Sequence, residues 1–107
     1  MTTYYFAIAS QDFLFKEEPV EEILRERTNH YNSLNKPIDF WLIKNPSLIN
    51  IPEILNINKK IKKPTAAIIS HNPKFIEWLK LRLGFVFTGQ LDTSSDVLLT
   101  YLENIAN

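Results

Sequence analysis

No cysteine occurs among the 107 residues. Disulfides, thiolate metal sites and cysteine nucleophiles are therefore excluded, and the chain suits a reducing compartment. Glycine is nearly absent too, with only Gly84 and Gly89. A loop that cradles phosphate needs several glycines so that backbone amides can crowd around the anion, which rules out P-loop and dinucleotide fingerprints. The two histidines, His30 and His71, fall in different predicted elements. Neither ends a His-x-x-x-His or Glu-x-x-His pair, the helical spacing that turns two ligands to one face. A bound metal or other cofactor is accordingly not expected.

Charge of one sign is lacking as well: Lys plus Arg and Asp plus Glu number 12 each. No global field draws in nucleic acid, and a nucleic-acid partner is not expected. Nowhere do about 18 apolar residues run together, the length a membrane-spanning helix requires. The N-terminal run Tyr4-Tyr5-Phe6-Ala7-Ile8-Ala9 has no basic stretch before it and is strand-length, so it does not read as a secretory signal. Membrane contact would have to come through a partner or a surface patch. A Ser-His-Asp triad built on Ser70 and His71 fails because neighbours on a strand point to opposite faces, and no catalytic residue is assigned.

What the chain does have is a globular composition, 45% hydrophobic and 22% charged, enough for one compact core and too short for two. Tyr4 to Ala9 lacks polar relief and reads as a central strand covered on both faces. Glu17-Glu18-Pro19 opens a helix over about 19–31, since proline fits the first turn and carboxylates favour its positive end. Ile38 to Ile43 is a second predicted strand. The signals weaken over 44–63, where Pro52 to about Lys60 suits a short helix and Lys59-Lys60-Ile61-Lys62-Lys63 a solvated helix end. Thr65 to Ser70 forms a third strand. Asn72-Pro73 caps a helix over 73–83 that Gly84 ends. Phe85 to Leu91 is a fourth strand, and Ser94-Ser95-Asp96 caps a last helix bearing Val97, Leu98, Tyr101 and Ile105. This order fits parallel βαβ units and an antiparallel sheet with packed helices equally well.

Two arginines interrupt apolar stripes. At about 100° per residue, Arg82 falls between Trp78 and Phe75, and Arg27 lies within the stripe of Val20, Ile23, Leu24 and Tyr31. Such an arginine pairs with a carboxylate, snorkels so that its head reaches water, or belongs to an aromatic binding patch. Asp39, read as a strand residue on the face of Trp41 and opposite Phe40, is the available partner for Arg82 or Arg27 and needs a reason to be there.

The stretches Thr2-Thr3-Tyr4-Tyr5, Glu17-Glu18-Pro19-Val20-Glu21-Glu22, Ile38-Asp39-Phe40-Trp41 and above all Phe75-Ile76-Glu77-Trp78-Leu79-Lys80-Leu81-Arg82-Leu83 carry a resemblance. They resemble the cyanobacterial and plastid family first labelled hypothetical chloroplast reading frame fifty-four. The resemblance covers residue 1 to about 90. It implies an α+β fold, a mainly antiparallel sheet of about four strands sandwiched by helices. The whole chain, 1–107, is then a single domain with a family-like core over 1–91 and a C-terminal helix or tail over 92–107. It also implies a non-catalytic accessory or assembly factor for the di-iron catalytic subunit of the magnesium-protoporphyrin IX monomethyl ester oxidative cyclase of chlorophyll biosynthesis. The family's partner-binding positions match Asp39, Phe40 and Arg82, with Arg27 and Trp78 as a possible extension of the patch. The implied location is the cyanobacterial cytoplasm or the plastid stroma, at the membrane only through the partner. The alternative is a tetrapyrrole-binding module in which His30 or His71 ligates the magnesium of a porphyrin. Residues 44–63 and the tail beyond Asp92 match the family poorly, and no functional residue is carried onto them.

Overall fold

In the computed structural model, residues 2–46 and 51–93 are described. They form β1 (Thr2–Ser10), a π-helical turn (Phe13–Glu17), α1 (Val20–Ser33), β2 (Phe40–Ile43), α2 (Pro52–Lys60), β3 (Thr65–Ser70), α3 (Pro73–Leu83) and β4 (Phe87–Thr93). The sheet order is β2-β3-β1-β4, and every pairing is antiparallel. That resolves the ambiguity the order of elements left open. The expected last helix over 94–107 lies outside the described residues.

β1 sits inside the sheet because both of its faces are apolar. Tyr4, Phe6 and Ile8 pack with Ile43, Ile69, Leu91 and the α2 residue Ile54 on one side. Ala7 and Ala9, joined by Ala66, face α1 and α3 on the other. These small side chains let the backbones of the sheet and the two helices come close, while larger residues on the helices fill the space between. Leu24 and Tyr31 of α1 and Phe75, Ile76, Leu79 and Leu83 of α3 supply that volume. The helices therefore sandwich the sheet, α1 and α3 on one side and α2 on the other.

The signals at both ends of α3 act as read from the sequence, whereas Pro19 stands at the N-cap of α1, just before the helix and not in its first turn. The Asn72 side chain accepts a hydrogen bond from the Lys74 N–H at 3.0 Å, satisfying a first-turn donor of α3. Gly84 ends that helix at φ 83°, where a Cβ would be strained. Gly89 has a different reason: a Cβ there would stand 2.6 Å from the Phe6 ring.

Two strand starts and one additional element differ from expectation. β2 begins at Phe40 because its partner β3 ends at Ser70, directly opposite, so Ile38 and Asp39 lie beyond the paired register. β4 begins at Phe87, since Phe85 is still turning out of α3 with its N–H on the Leu83 carbonyl. The π-helical turn was not expected. It closes through a bond from the Glu18 N–H to the Phe13 carbonyl at 2.8 Å and drives Leu14 fully into the core.

Candidate functional site

The end of β3 fixes the site. Ser70 Oγ donates to the Asp39 carbonyl at 2.9 Å and accepts from the Asn72 N–H at 3.0 Å. The His71 N–H also donates to the Asp39 carbonyl, at 3.0 Å. One buried serine thus ties the entry to β2 to the first turn of α3, and brings residues 39 and 40 beside Phe75.

Arg27 of α1 lies over this junction. Its guanidinium carbon stands 3.8 Å from the centre of the Phe75 ring, 5.0 Å from Tyr31 and 5.6 Å from Phe40, within reach of the cation–π attraction of all three. Nη2 donates to the Tyr31 hydroxyl at 2.8 Å, and that hydroxyl donates to Asp39 Oδ1 at 2.9 Å. Nε is buried without a hydrogen-bond partner. The snorkelling expectation for Arg27 is therefore corrected: its head is held among aromatic rings and linked to a carboxylate through a phenol. A guanidinium is more weakly hydrated than an ammonium and stacks on rings, which is why arginine suits such a place.

Asp39 is also corrected in position. It precedes β2, so strand alternation does not govern it, and its carboxylate turns to the Tyr31 side. It is linked to Arg27 and not to Arg82. Arg82 instead sits 3.6 Å from Glu18 as a surface ion pair, its side chain 53% exposed. Phe40 is 5% exposed and packs edge-on against Tyr31 and Phe75. It therefore acts on any surface from below, by holding Arg27. Trp78 is 48% exposed and lies nearly parallel to Phe75, with ring centres 6.2 Å apart.

Between α1 and α3 these residues border an open groove of about 430 Å³, lined by Ile23, Glu26, Arg27, His30, Phe75, Trp78 and Arg82. The structure thus brings together Arg27, Arg82 and Trp78, with Phe40 and Asp39 beneath or beside them. Sequence reasoning gave Tyr31 a place in the apolar stripe and Glu18 one at a helix start, but paired neither with an arginine. Tyr31 carried a signal, since it stands four residues after Arg27 and so on the same face. Glu18 carried none, because nothing local links it to Arg82.

The histidines are separate. His30 lines the groove. His71 lies at the end of β3, its ring 4.4 Å from Tyr4 and 5.5 Å from Trp41. Among the described residues no group of three or more His, Cys, Asp or Glu is placed to hold a metal ion. Among the same residues no helix is long and apolar enough to cross a membrane.

The architecture and the groove define a small α+β domain with an aromatic, arginine-bearing surface between two helices. The chain belongs to the Ycf54 protein family, whose pattern matches residues 2–93. It is 56% identical over 92 residues to an uncharacterised protein ycf54 of Pyropia yezoensis, covering 86% of this chain and 83% of that one. It is 31% identical over 96 residues to the chloroplastic protein YCF54 of Arabidopsis thaliana, covering 88% of this chain and 44% of that one. The solved structure of the Ycf54 protein from Synechocystis sp. PCC6803 matches with a TM-score of 0.81 at 46% identity, covering 95% of this chain and 96% of that one.

Proposed function

We propose that this chain is a non-catalytic accessory or assembly factor that binds the di-iron catalytic subunit of the magnesium-protoporphyrin IX monomethyl ester oxidative cyclase, using the groove between α1 and α3. The observation that supports this reading is the groove's composition. An exposed tryptophan, a ring-held arginine and a surface arginine lie side by side, and Trp and Arg are the side chains most enriched where binding energy concentrates. The aromatic layer below is rigid, so little side-chain freedom is left to lose when a partner covers it. On this reading the protein works in the cyanobacterial cytoplasm or plastid stroma and meets the membrane-bound enzyme there. Family membership places its relatives in cyanobacteria and chloroplasts.

The test is a pull-down of the catalytic subunit on the immobilised chain, comparing wild type with Trp78→Ala and Arg82→Ala. Each substitution is expected to lower affinity by about thirtyfold, the equivalent of roughly 2 kcal/mol at a hot spot. Wild-type affinity in both variants would place the interface elsewhere. The tetrapyrrole-carrier reading has one observation of its own, since His30 and Trp78 line the same groove. A visible-absorption titration with the magnesium porphyrin separates the two. A tight red-shifted complex lost in His30→Ala would support the carrier and displace the accessory reading.

A further inference from the structure

At the opposite end of the sheet from Asp39, a second surface combines exposed phenylalanines with lysines. Phe85 is 85% exposed and Phe87 47% exposed. They border a shallow hollow of about 390 Å³ with Phe13, Ile61, Lys62 and Lys63. Phe13 and Phe85 meet edge to face at 6.2 Å. β4 starts at Phe87 opposite Ile8 of β1, and β3 starts at Thr65 opposite Ser10. The two apolar tips and the lysine pair therefore share one rim. Gln11 strengthens that grouping, because its side-chain amide donates to the carbonyls of both Lys44 and Thr65 and so brings exposed Lys44 to the same end.

Phe85 and Phe87 leave apolar area in water in the folded state, and they lie together at one hollow instead of scattered singly over the surface. Lys62 and Lys63 have no carboxylate within ion-pair distance among the described residues. Glu17 also lines the hollow, but two lysines stand against that one carboxylate, so the local balance is positive although the chain as a whole is neutral. Local balance decides, because charges further than about 8–10 Å are screened at physiological salt.

We propose that this rim is a direct docking surface for an anionic lipid bilayer. Phe85 and Phe87 enter the headgroup boundary, and Lys62 and Lys63 rest against the negative headgroups. The combination of apolar tips with flanking lysines is what interfacial binding requires: area to bury and charge to match. Two exposed phenylalanines flanked by lysines at the ends of strands suit a bilayer, which asks only for apolar area and positive charge, whereas a folded protein partner would need a broad complementary face. This surface is separate from the groove between α1 and α3, so it stands or falls independently of the partner assigned to that groove.

The experiment is co-sedimentation of the full chain with vesicles of phosphatidylcholine, with and without phosphatidylglycerol. Binding is expected only to the anionic vesicles and is expected to fall with added salt. Lys62→Gln with Lys63→Gln should lower the partition about thirtyfold, at about 1 kcal/mol per lysine near an anionic surface. Phe85→Ala should lower it about tenfold, while Lys74→Gln on α3 should leave it unchanged. Thermal melts confirm that each variant is folded. Equal binding to neutral vesicles, or wild-type partition in the lysine and Phe85 variants, overturns the proposal. So does failure to bind any vesicle, whether Phe85→Ala instead dissolves a self-associated dimer or weakens capture of the cyclase subunit.

Discussion

The two faces of the sheet are built differently. On the α2 side, Phe6, Ile8, Ile43, Ile54 and Ile69 make a closed layer in which aliphatic side chains predominate. On the α1 and α3 side Ala7, Ala9 and Ala66 leave room that the helices fill with Leu24, Tyr31, Phe75, Ile76, Leu79 and Leu83, and Tyr31, Phe75 and Phe40 of β2 gather their rings at one end. Only the second face holds a guanidinium inside its aromatic layer, and only there does the layer continue outwards to an exposed tryptophan. The first face has the composition of a core that only holds the fold together. The second holds the fold and also shapes a surface, so the same residue can matter for both. A loss of binding there has meaning only beside a measurement of stability.

The largest expected effect breaks the comparison at its root. Phe40→Ala removes a buried ring that packs on Tyr31, Phe75 and Arg27, and should cost about 3–5 kcal/mol. Ile54→Ala on the opposite face should cost a comparable ~2–5 kcal/mol. The two should differ in partner binding measured on the folded fraction well below each melting point. Ile54→Ala leaves affinity unchanged, whereas Phe40→Ala lowers it because Arg27 loses part of its cage. Equal affinities would mean that the two faces do not differ in function.

A smaller effect is expected at Asp39. Asp39→Ala takes away the acceptor of the Tyr31 hydroxyl and leaves Arg27 without its relayed carboxylate, which should lower stability by about 1–2 kcal/mol. Asp39→Asn keeps an acceptor oxygen and should lose less. Identical melts for the two variants would show that the relay carries no stability.

Much of this was legible in the sequence, and the misses have physical causes. β1, β3, α1, α2 and α3 follow from unbroken apolar runs, proline near the helix starts and Gly84 at a helix end. Strand direction was legible only through the family resemblance, which implied the antiparallel sheet found, because alternation of strands and helices is compatible with either sense. The turn at Phe13–Glu17 was missed because Phe13-Leu14-Phe15 has no helical period of its own. The i,i+4 pair Asp12 and Lys16, 3.5 Å apart, was its one helical cue. Both arginines stood out as charges within apolar stripes, yet their partners did not. Arg27 is joined to Asp39 only through Tyr31, and Arg82 meets a residue 64 positions away.

A pH effect should distinguish the closed face. Burial pushes the Tyr4 hydroxyl above its ordinary value of 10.0. The folded chain holds that proton where the unfolded chain would release it, so the contribution is intact below about pH 10 and is lost as the pH climbs towards the folded value. Melting temperature should therefore fall more steeply above pH 10 in wild type than in Tyr4→Phe. Parallel curves would show that Tyr4 ionises alike in both states.

The smallest stability effect is expected at Arg82, and it bears most directly on the contrast between core and surface. Its ion pair with Glu18 is exposed and 3.6 Å long, and pairs of that kind contribute about 0–1 kcal/mol because water and salt screen them. Arg82→Ala should therefore change stability by no more than about 0.5 kcal/mol, a shift of roughly 2–4 °C or less for a domain of this size. Glu18→Ala should change it as little. If Arg82 serves the partner, its loss is felt only when the partner covers the groove. Screening water is then excluded, and a carboxylate on the partner is left without its cation. The two measurements therefore separate sharply at this residue and overlap at Asp39 and Phe40. A melting point several degrees lower still in Arg82→Ala would make the Glu18 pair a structural tie between α3 and the segment before α1. In that case a loss of binding would have to be charged to the fold.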